Sequence, residues 1–365
     1  MKKCIIVPFL LLCFLSGCAA GRGDGQERVR SVILMIGDGM GLPQITALSL
    51  ENDYAPLEIE RAHCIGIQKT GSANNRVTDS AAAATAMACG GKTCNGMVGV
   101  APDGTPLESV LDVAAENGKA TGIVVTYAVT DATPAAFVAH VADRGDQETI
   151  ALQYLDSGVD VIAGTGRSYF DGRRDGRDLI AEMRAYGYDF APDSKTLMSA
   201  GKAPLLALFD DMPYVVNDTL GIRGGDMGDA TVKALELLEG TGKDGFFLMV
   251  ESSLIDKGGH ANDIAAVVAE TADFDRAVGM AFDYADRHPG TLVLVTGDHE
   301  TGGLTIVSPE TDFRSADAGV EYRYSTTSHS ATFIPIYAYG AGAEKFAGVM
   351  DNTDIAKRLK ALLGA

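Results

Sequence analysis

Basic residues are in short supply. Lysine and arginine number 30 against 49 aspartates and glutamates, a formal net charge of −19 in 365 residues. That balance excludes a basic surface for nucleic acid. It also sets a condition on any anionic ligand: the site must carry its own positive charge, as metal ions or a well-placed arginine. Histidine is scarcer still, with six residues, and so is cysteine, with six. There is no internal repeat, and no low-complexity tract beyond one run of alanines. The longest apolar run near the start, Cys4 to Leu15, is too short to span a bilayer. With 46% hydrophobic and 22% charged residues, what remains is an ordinary globular composition, long enough for one large core.

The N-terminal run is preceded by Lys2 and Lys3 and reads as a signal peptide, outside the fold. LSGC, ending at Cys18, resembles the lipobox of bacterial lipoproteins. The resemblance implies removal of residues 1–17, a lipid on Cys18 and a flexible tether over 18–28. The plain alternative is a secreted protein cleaved nearby. Either way the domain, 29–365, is exported, to the periplasmic or cell-surface face of a bacterial membrane. Export leaves Cys64, Cys89 and Cys94. The odd count leaves at least one unpaired. Cys89 and Cys94 could close a small disulfide loop in an oxidising compartment, and three scattered cysteines make a poor zinc site.

Apolar runs alternate with helical stretches: SVILMI (31–36), TGIVVT (121–126), FFLMV (246–250), TLVLVT (291–296) and FIPIYAY (333–339), with helices expected near 262–287 and 354–363. Short strands without polar alternation predict an α/β fold, a mostly parallel central sheet with helices on both faces. Ligands in such folds collect at the carboxyl ends of the strands. The less regular stretch 165–225 reads as part of the same domain, a lobe near the site.

Those strand ends carry chemistry. Asp38 follows the first run, Glu251 the third, and Asp298 with His299 the fourth. Asp256 and His260 are four apart, a spacing that puts both on one helix face. Acids gathered at the ends of buried strands are costly unless paired, and metal ions would pair them. Each also has a plainer reading: Asp38 as a turn residue, Glu251 as a helix N-terminal acid, His329 as a structural histidine. VTDSAAAATA poses the same choice. Asp79 and Ser80 could simply cap a helix, or Ser80 could be a nucleophile at the positive end of the helix dipole. His63, His140 and His288 lack such motif neighbours; His63 and His288 read as plain, and His140, on the helix that follows DATPAAF, as structural or as a support one step back from the site.

IGDGMG, VTDSAAAATA, DATPAAFVAHVADR, MVESSLIDKGGH, VTGDHETGG and TTSHS occur in an order that resembles the bacterial alkaline phosphatases, from about residue 29 to the C-terminus. The resemblance implies an α/β sandwich holding two zinc ions and one magnesium ion, and hydrolysis of phosphate monoesters through a phosphoserine. Ser80 is then the nucleophile. Asp256, His260 and His329 resemble the ligands of the first zinc. Asp38, Asp298 and His299 resemble those of the second, which also meets Ser80. Asp38, Thr133 and Glu251 resemble the magnesium ligands. Arg144, placed at the end of the DATP helix, resembles the arginine that grips phosphate, and Asp131 with Lys257 an outer pair facing the substrate. The chain is short for the family, and the parts that form a crown and a homodimer contact look reduced. The rival readings are a related metallo-phosphodiesterase and, in a different class, a non-catalytic lipoprotein that binds metal or phosphate.

Overall fold

The computed structural model describes residues 28–209, 227–309 and 319–364. The signal segment, Cys18 and most of the tether lie outside these residues. The described strands are β1 Ser31–Gly37, β2 Cys64–Lys69, β3 Ala120–Ala128, β4 Val161–Thr165, β5 Asp189–Ala191, β6 Leu205–Phe209, β7 Phe246–Ser252, β8 Thr291–Gly297, β9 Glu300–Thr301, β10 Leu304–Val307, β11 Glu321–Tyr324, β12 His329–Ser330, β13 Ile334–Gly340 and β14 Gly348–Asp351. Ten of them form one sheet in the order β14-β2-β13-β8-β1-β7-β3-β4-β6-β5.

The central strands are apolar throughout because both faces are covered. Along β1, Val32, Leu34 and Ile36 enter one core, and Ile33 and Met35 the other. All pairs in the sheet are parallel except those of β13, which runs antiparallel to β8 and β2. The sequence pattern could not distinguish this strand from its parallel neighbours. Its direction matters for the site: β13 begins at the edge where β1, β3, β7 and β8 end, so the segment leading into it, with His329, arrives at that same edge.

The stretch read as less regular extends the sheet as far as Phe209, with helix Leu179–Ala185 packed on β5, helix Ser194–Ser199 on β5 and β6, and the turn Ser168–Asp171 against its neighbouring helices. Residues 210–226, its remainder, lie outside the described residues. One expectation fails: His140 and Arg144 are not helical. The DATP helix is a single turn, Ala132–Ala135. The chain then leaves it, and Val141 bridges to Val98 instead.

The alanine run forms helix Ser80–Cys89, buried on all sides from Ser80 to Ala88. It lies between the sheet, helix Asn352–Leu363 and the 132–135 turn. Alanine permits that close approach and carries a high helix propensity. Enlarging a fully buried member, Ala84→Leu, is expected to destabilise the fold by about 1–3 kcal/mol, read as a lower urea midpoint with an unchanged slope. Cys64, Cys89 and Cys94 are all free, and burial pushes the Cys89 thiol up to about 12, which keeps it unreactive.

Candidate active site

The carboxyl edge of the sheet assembles Asp38, Ser80, Thr133, Glu251, Asp256, Asp298, His299 and His329 as buried or nearly buried groups, with His260 at the rim. Asp38 leaves β1 through a turn at Gly39. There φ is +74°, and a Cβ would stand 2.8 Å from the Asp256 Cα. Only glycine lets these two ligand-bearing segments touch.

Three imidazoles are held by their Nδ1 atoms. His260 Nδ1 lies 2.7 Å from the Thr327 carbonyl, and His329 Nδ1 lies 2.9 Å from the Thr78 carbonyl. A carbonyl only accepts, so each Nδ1 carries a proton, and in the neutral ring each Nε2 offers a lone pair. His299 Nδ1 is 3.2 Å from the Thr301 hydroxyl, which itself donates to Asp256 Oδ1 at 2.6 Å. With that hydroxyl proton committed, His299 Nδ1 must donate, and its Nε2 is also a bare acceptor.

These Nε2 atoms converge on acids. His260 Nε2 and His329 Nε2 are 3.2 Å apart and lie 3.3 and 3.6 Å from Asp256 Oδ1. His299 Nε2 is 3.2 Å from Asp298 Oδ2, 3.5 Å from Asp38 Oδ1 and 3.2 Å from the Ser80 hydroxyl. With both rings neutral, two lone pairs would face each other at this distance; a proton on His260, which Asp256 favours, or a metal cation relieves the repulsion. Two groups therefore have the donors of an ion site: Asp256 with His260 and His329, and His299 with Asp38. Asp256 borders both, while Asp298 joins the second through its Oδ2 contact with His299. Imidazole and carboxylate donors suit zinc.

A third group is all oxygen. Asp38 Oδ1, Thr133 Oγ1 and both Glu251 oxygens are buried without a hydrogen-bond partner, as is Asp298 Oδ2. Asp298 Oδ1, by contrast, accepts from the Gly39 and His299 amides at 3.0 and 2.9 Å, which leaves Oδ2 turned inward. Orphaned buried oxygens at one strand edge are expensive, and their chemistry fits a hard divalent cation such as magnesium.

The electrostatics tell the same story. Burial, reinforced by Asp298 and Asp256, holds the Asp38 carboxyl well above its usual range. Burial pushes Glu251 up to about 8, with Asp131 adding to it; the nearby Ser253 and Thr133 hydroxyls moderate the rise without making a regular hydrogen bond. Burial lifts Asp298 to about 7 against its two amide donors. Burial opposes ionisation of Asp256, but His260, then His299 and Thr301, outweigh it and hold that carboxyl well below its usual range. His299 is driven far below the ordinary imidazole range by burial and by His329, and so is neutral, as a ligand must be.

Ser80 opens its helix just after Asp79. That acid caps it by accepting from Ala82 N at 3.0 Å and also takes the Gly96 amide at 2.9 Å. Capping and a reactive position for Ser80 are therefore compatible. Arg144 reaches the same place from its loop, where its amide is tied to the Gly96 carbonyl. Its guanidinium lies 3.1 Å from Asp131 Oδ1 and 3.5 Å from Asp79 Oδ2. Burial disfavours its charge, but Asp131 and Asp79 more than compensate. The Lys257 ammonium lies 3.9 Å from Asp256 Oδ2 and 5.4 Å from the centre of the Tyr127 ring. Thr301, which orients both His299 and Asp256, was missed by sequence reasoning. Its motif was visible, but its partner lies 45 residues away in the chain.

A mostly parallel sheet with acid and imidazole groups clustered at its carboxyl edge, placed so that they could hold metal ions, defines the protein as an α/β enzyme of the metal-dependent kind. The chain belongs to the alkaline phosphatase family, whose model matches residues 29–321. It is 33% identical to alkaline phosphatase 3 of Bacillus subtilis, across 98% of this chain and 96% of that one. It is 34% identical to streptomycin-6-phosphate phosphatase of Streptomyces griseus, across 93% and 92%. The solved alkaline phosphatase of the Antarctic bacterium TAB5 is 36% identical and superposes with a TM-score of 0.83, across 93% and 98%. A variant of that enzyme holds magnesium in a site termed M3. The protein is thus a phosphoric monoester hydrolase by family.

Proposed function

We propose that the protein hydrolyses phosphate monoesters through a phosphoserine on Ser80, with two zinc ions and one magnesium ion as cofactors. The observation that carries this reading is the Ser80 hydroxyl, 3.2 Å from a neutral His299 Nε2 at a helix N-terminus, beside two clusters of metal donors. Asp256, His260 and His329 would hold one zinc; Asp38, Asp298 and His299 the other; Asp38, Thr133 and Glu251 the magnesium. When bound, such ions acidify coordinated oxygens and neutralise charge on the transferring phosphoryl group.

The chain's own groups do the rest. Ser80 Oγ attacks phosphorus, the bond to the alcohol oxygen breaks, and the alcohol departs with a proton. Water then attacks the phosphoserine, the bond between Ser80 Oγ and phosphorus breaks, and inorganic phosphate leaves. The helix N-terminus contributes amide donors and a positive potential to the phosphoryl oxygens. Arg144, aimed but held back by Asp131 and Asp79, offers a planar fork to two non-bridging oxygens. A diester lacks one of those charged oxygens, which favours monoesters over the diesterase reading. Intact nucleophile and ligand sets favour an enzyme over a passive binding protein.

Arg144→Lys keeps the charge and loses the fork. It is expected to raise KM and weaken phosphate inhibition about tenfold or more; equal inhibition constants would remove Arg144 from substrate contact. Lys257→Ala is expected to relieve phosphate inhibition with a smaller effect on kcat. The broader test is turnover of a chromogenic monoester against a diester, with and without zinc and magnesium, from neutral to alkaline pH. Preferential diester cleavage, or no turnover in metal-replete protein, would overturn the proposal. We further propose that the chain is exported and anchored by a lipid on Cys18, which a Cys18→Ser variant released from the membrane fraction would support.

A further inference from the structure

Glu300 is a buried carboxylate that the reaction does not use. It is 1% exposed, and both of its oxygens are filled. Oε1 accepts from Gln44 Nε2 at 2.9 Å and from the Leu304 amide at 3.0 Å. Oε2 accepts from the Gly303 amide at 3.1 Å and from the Ser330 hydroxyl. This is the opposite of Glu251, whose oxygens have no partner, so Glu300 has no free lone pair aimed at an ion. All four donors are neutral N–H or O–H groups, and together they occupy both oxygens.

What those donors belong to explains why it is kept. Gln44 also accepts from the Gly41 amide at 3.0 Å and donates to the Thr301 carbonyl at 3.0 Å. Gly41 closes the loop that carries Asp38, and a Cβ there would stand 2.8 Å from Glu300 Cγ. Ser330 follows His329 and pairs with Glu300 across β9 and β12. Glu300 itself follows His299. One carboxylate thus pins the segments bearing Asp38, His299 and His329, residues far apart in the chain.

We propose that Glu300 is a positioning residue: through Gln44 and Ser330 it fixes the mutual placement of three metal-ligand segments, and so sets metal affinity rather than chemistry. This rests on the reading that those segments hold zinc. Glu300→Gln is the informative change. In one orientation its NH2 faces the Gln44 amide and the Leu304 N–H; in the other it faces the Gly303 N–H and the Ser330 hydroxyl, which can turn to accept; either way at least one backbone N–H loses its acceptor.

The purified full chain would be stripped of metal and titrated with zinc against a fluorescent zinc chelator, beside Glu300→Gln and Ser330→Ala. Zinc affinity is expected to fall about 10–100-fold in Glu300→Gln and less, in the same direction, in Ser330→Ala, with excess zinc restoring most of the lost kcat. Lower thermal stability with unchanged zinc affinity would mean a merely structural role and overturn the inference. If Glu300→Gln does not fold, Ser330→Ala decides by the same criterion. Wild-type chain that binds no zinc would instead sink the metal reading itself, a distinguishable failure.

Discussion

Ser80→Ala is expected to lower kcat for a phosphate monoester by at least about a thousandfold, on the scale seen when a nucleophile is deleted, while leaving the fold and the metal content intact. The asymmetry follows from the structure. The Ser80 hydroxyl has one protein partner, His299 Nε2, and its helix is capped by Asp79 rather than by Ser80 itself. Alanine also continues the small-residue run that the packing requires. Loss of the oxygen therefore removes the nucleophile without a cavity of consequence. Acid-quenched wild-type protein given a labelled monoester should retain phosphate on Ser80, and the variant none. A variant that keeps more than about a tenth of the rate would assign the attack to water instead and remove the covalent step.

Removing the metals should make stability fall with rising pH. Glu251 and Asp298 are pushed up to about 8 and about 7, chiefly by burial, and Asp38 is raised in the same sense. Carboxyls raised on folding stabilise the protein below their unfolded values near 4, and that contribution is lost as pH climbs through the folded values. His299 and His329 are lowered by burial and act oppositely, but only below about pH 6.5. His260, raised mainly by Asp256, acts with the carboxyls. The informative window is therefore pH 6.5 to 8.5. There the chelator-treated chain is expected to lose about 5 °C in Tm or more. Chain loaded with zinc and magnesium should stay level or gain, because ligands must be deprotonated to bind. A metal-free Tm that rises across this window would show that these acids are not buried uncharged in the folded state.

Much of this was legible before any coordinates. The apolar runs became strands within a residue or two of their expected bounds, because a strand covered on both faces needs no polar alternation. Every candidate ligand named from the motifs reaches one edge of the sheet. The misreadings share a cause. The helix assigned through His140 fits the local composition, yet the chain leaves it after one turn, where Val141 pairs with Val98 and Arg144 with Gly96 and two acids, contacts that no local pattern announces. The reversed direction of β13 left no local trace at all. Thr301, Glu300 and Gln44 sat in plain view inside or beside known motifs, but their roles are contacts, not patterns.

The class of fold, the acid and imidazole inventory, and the serine at the head of an alanine helix are written in residue order alone, since they depend on periodicity and residue type. Which ring nitrogen each histidine turns to the backbone, which carboxylate oxygens are left bare, and which buried acid ties three segments together depend on the folded packing. Those properties arise where segments up to roughly 250 residues apart meet at one strand edge. There the partner of each polar atom is set by the packing and not by its neighbours in the chain.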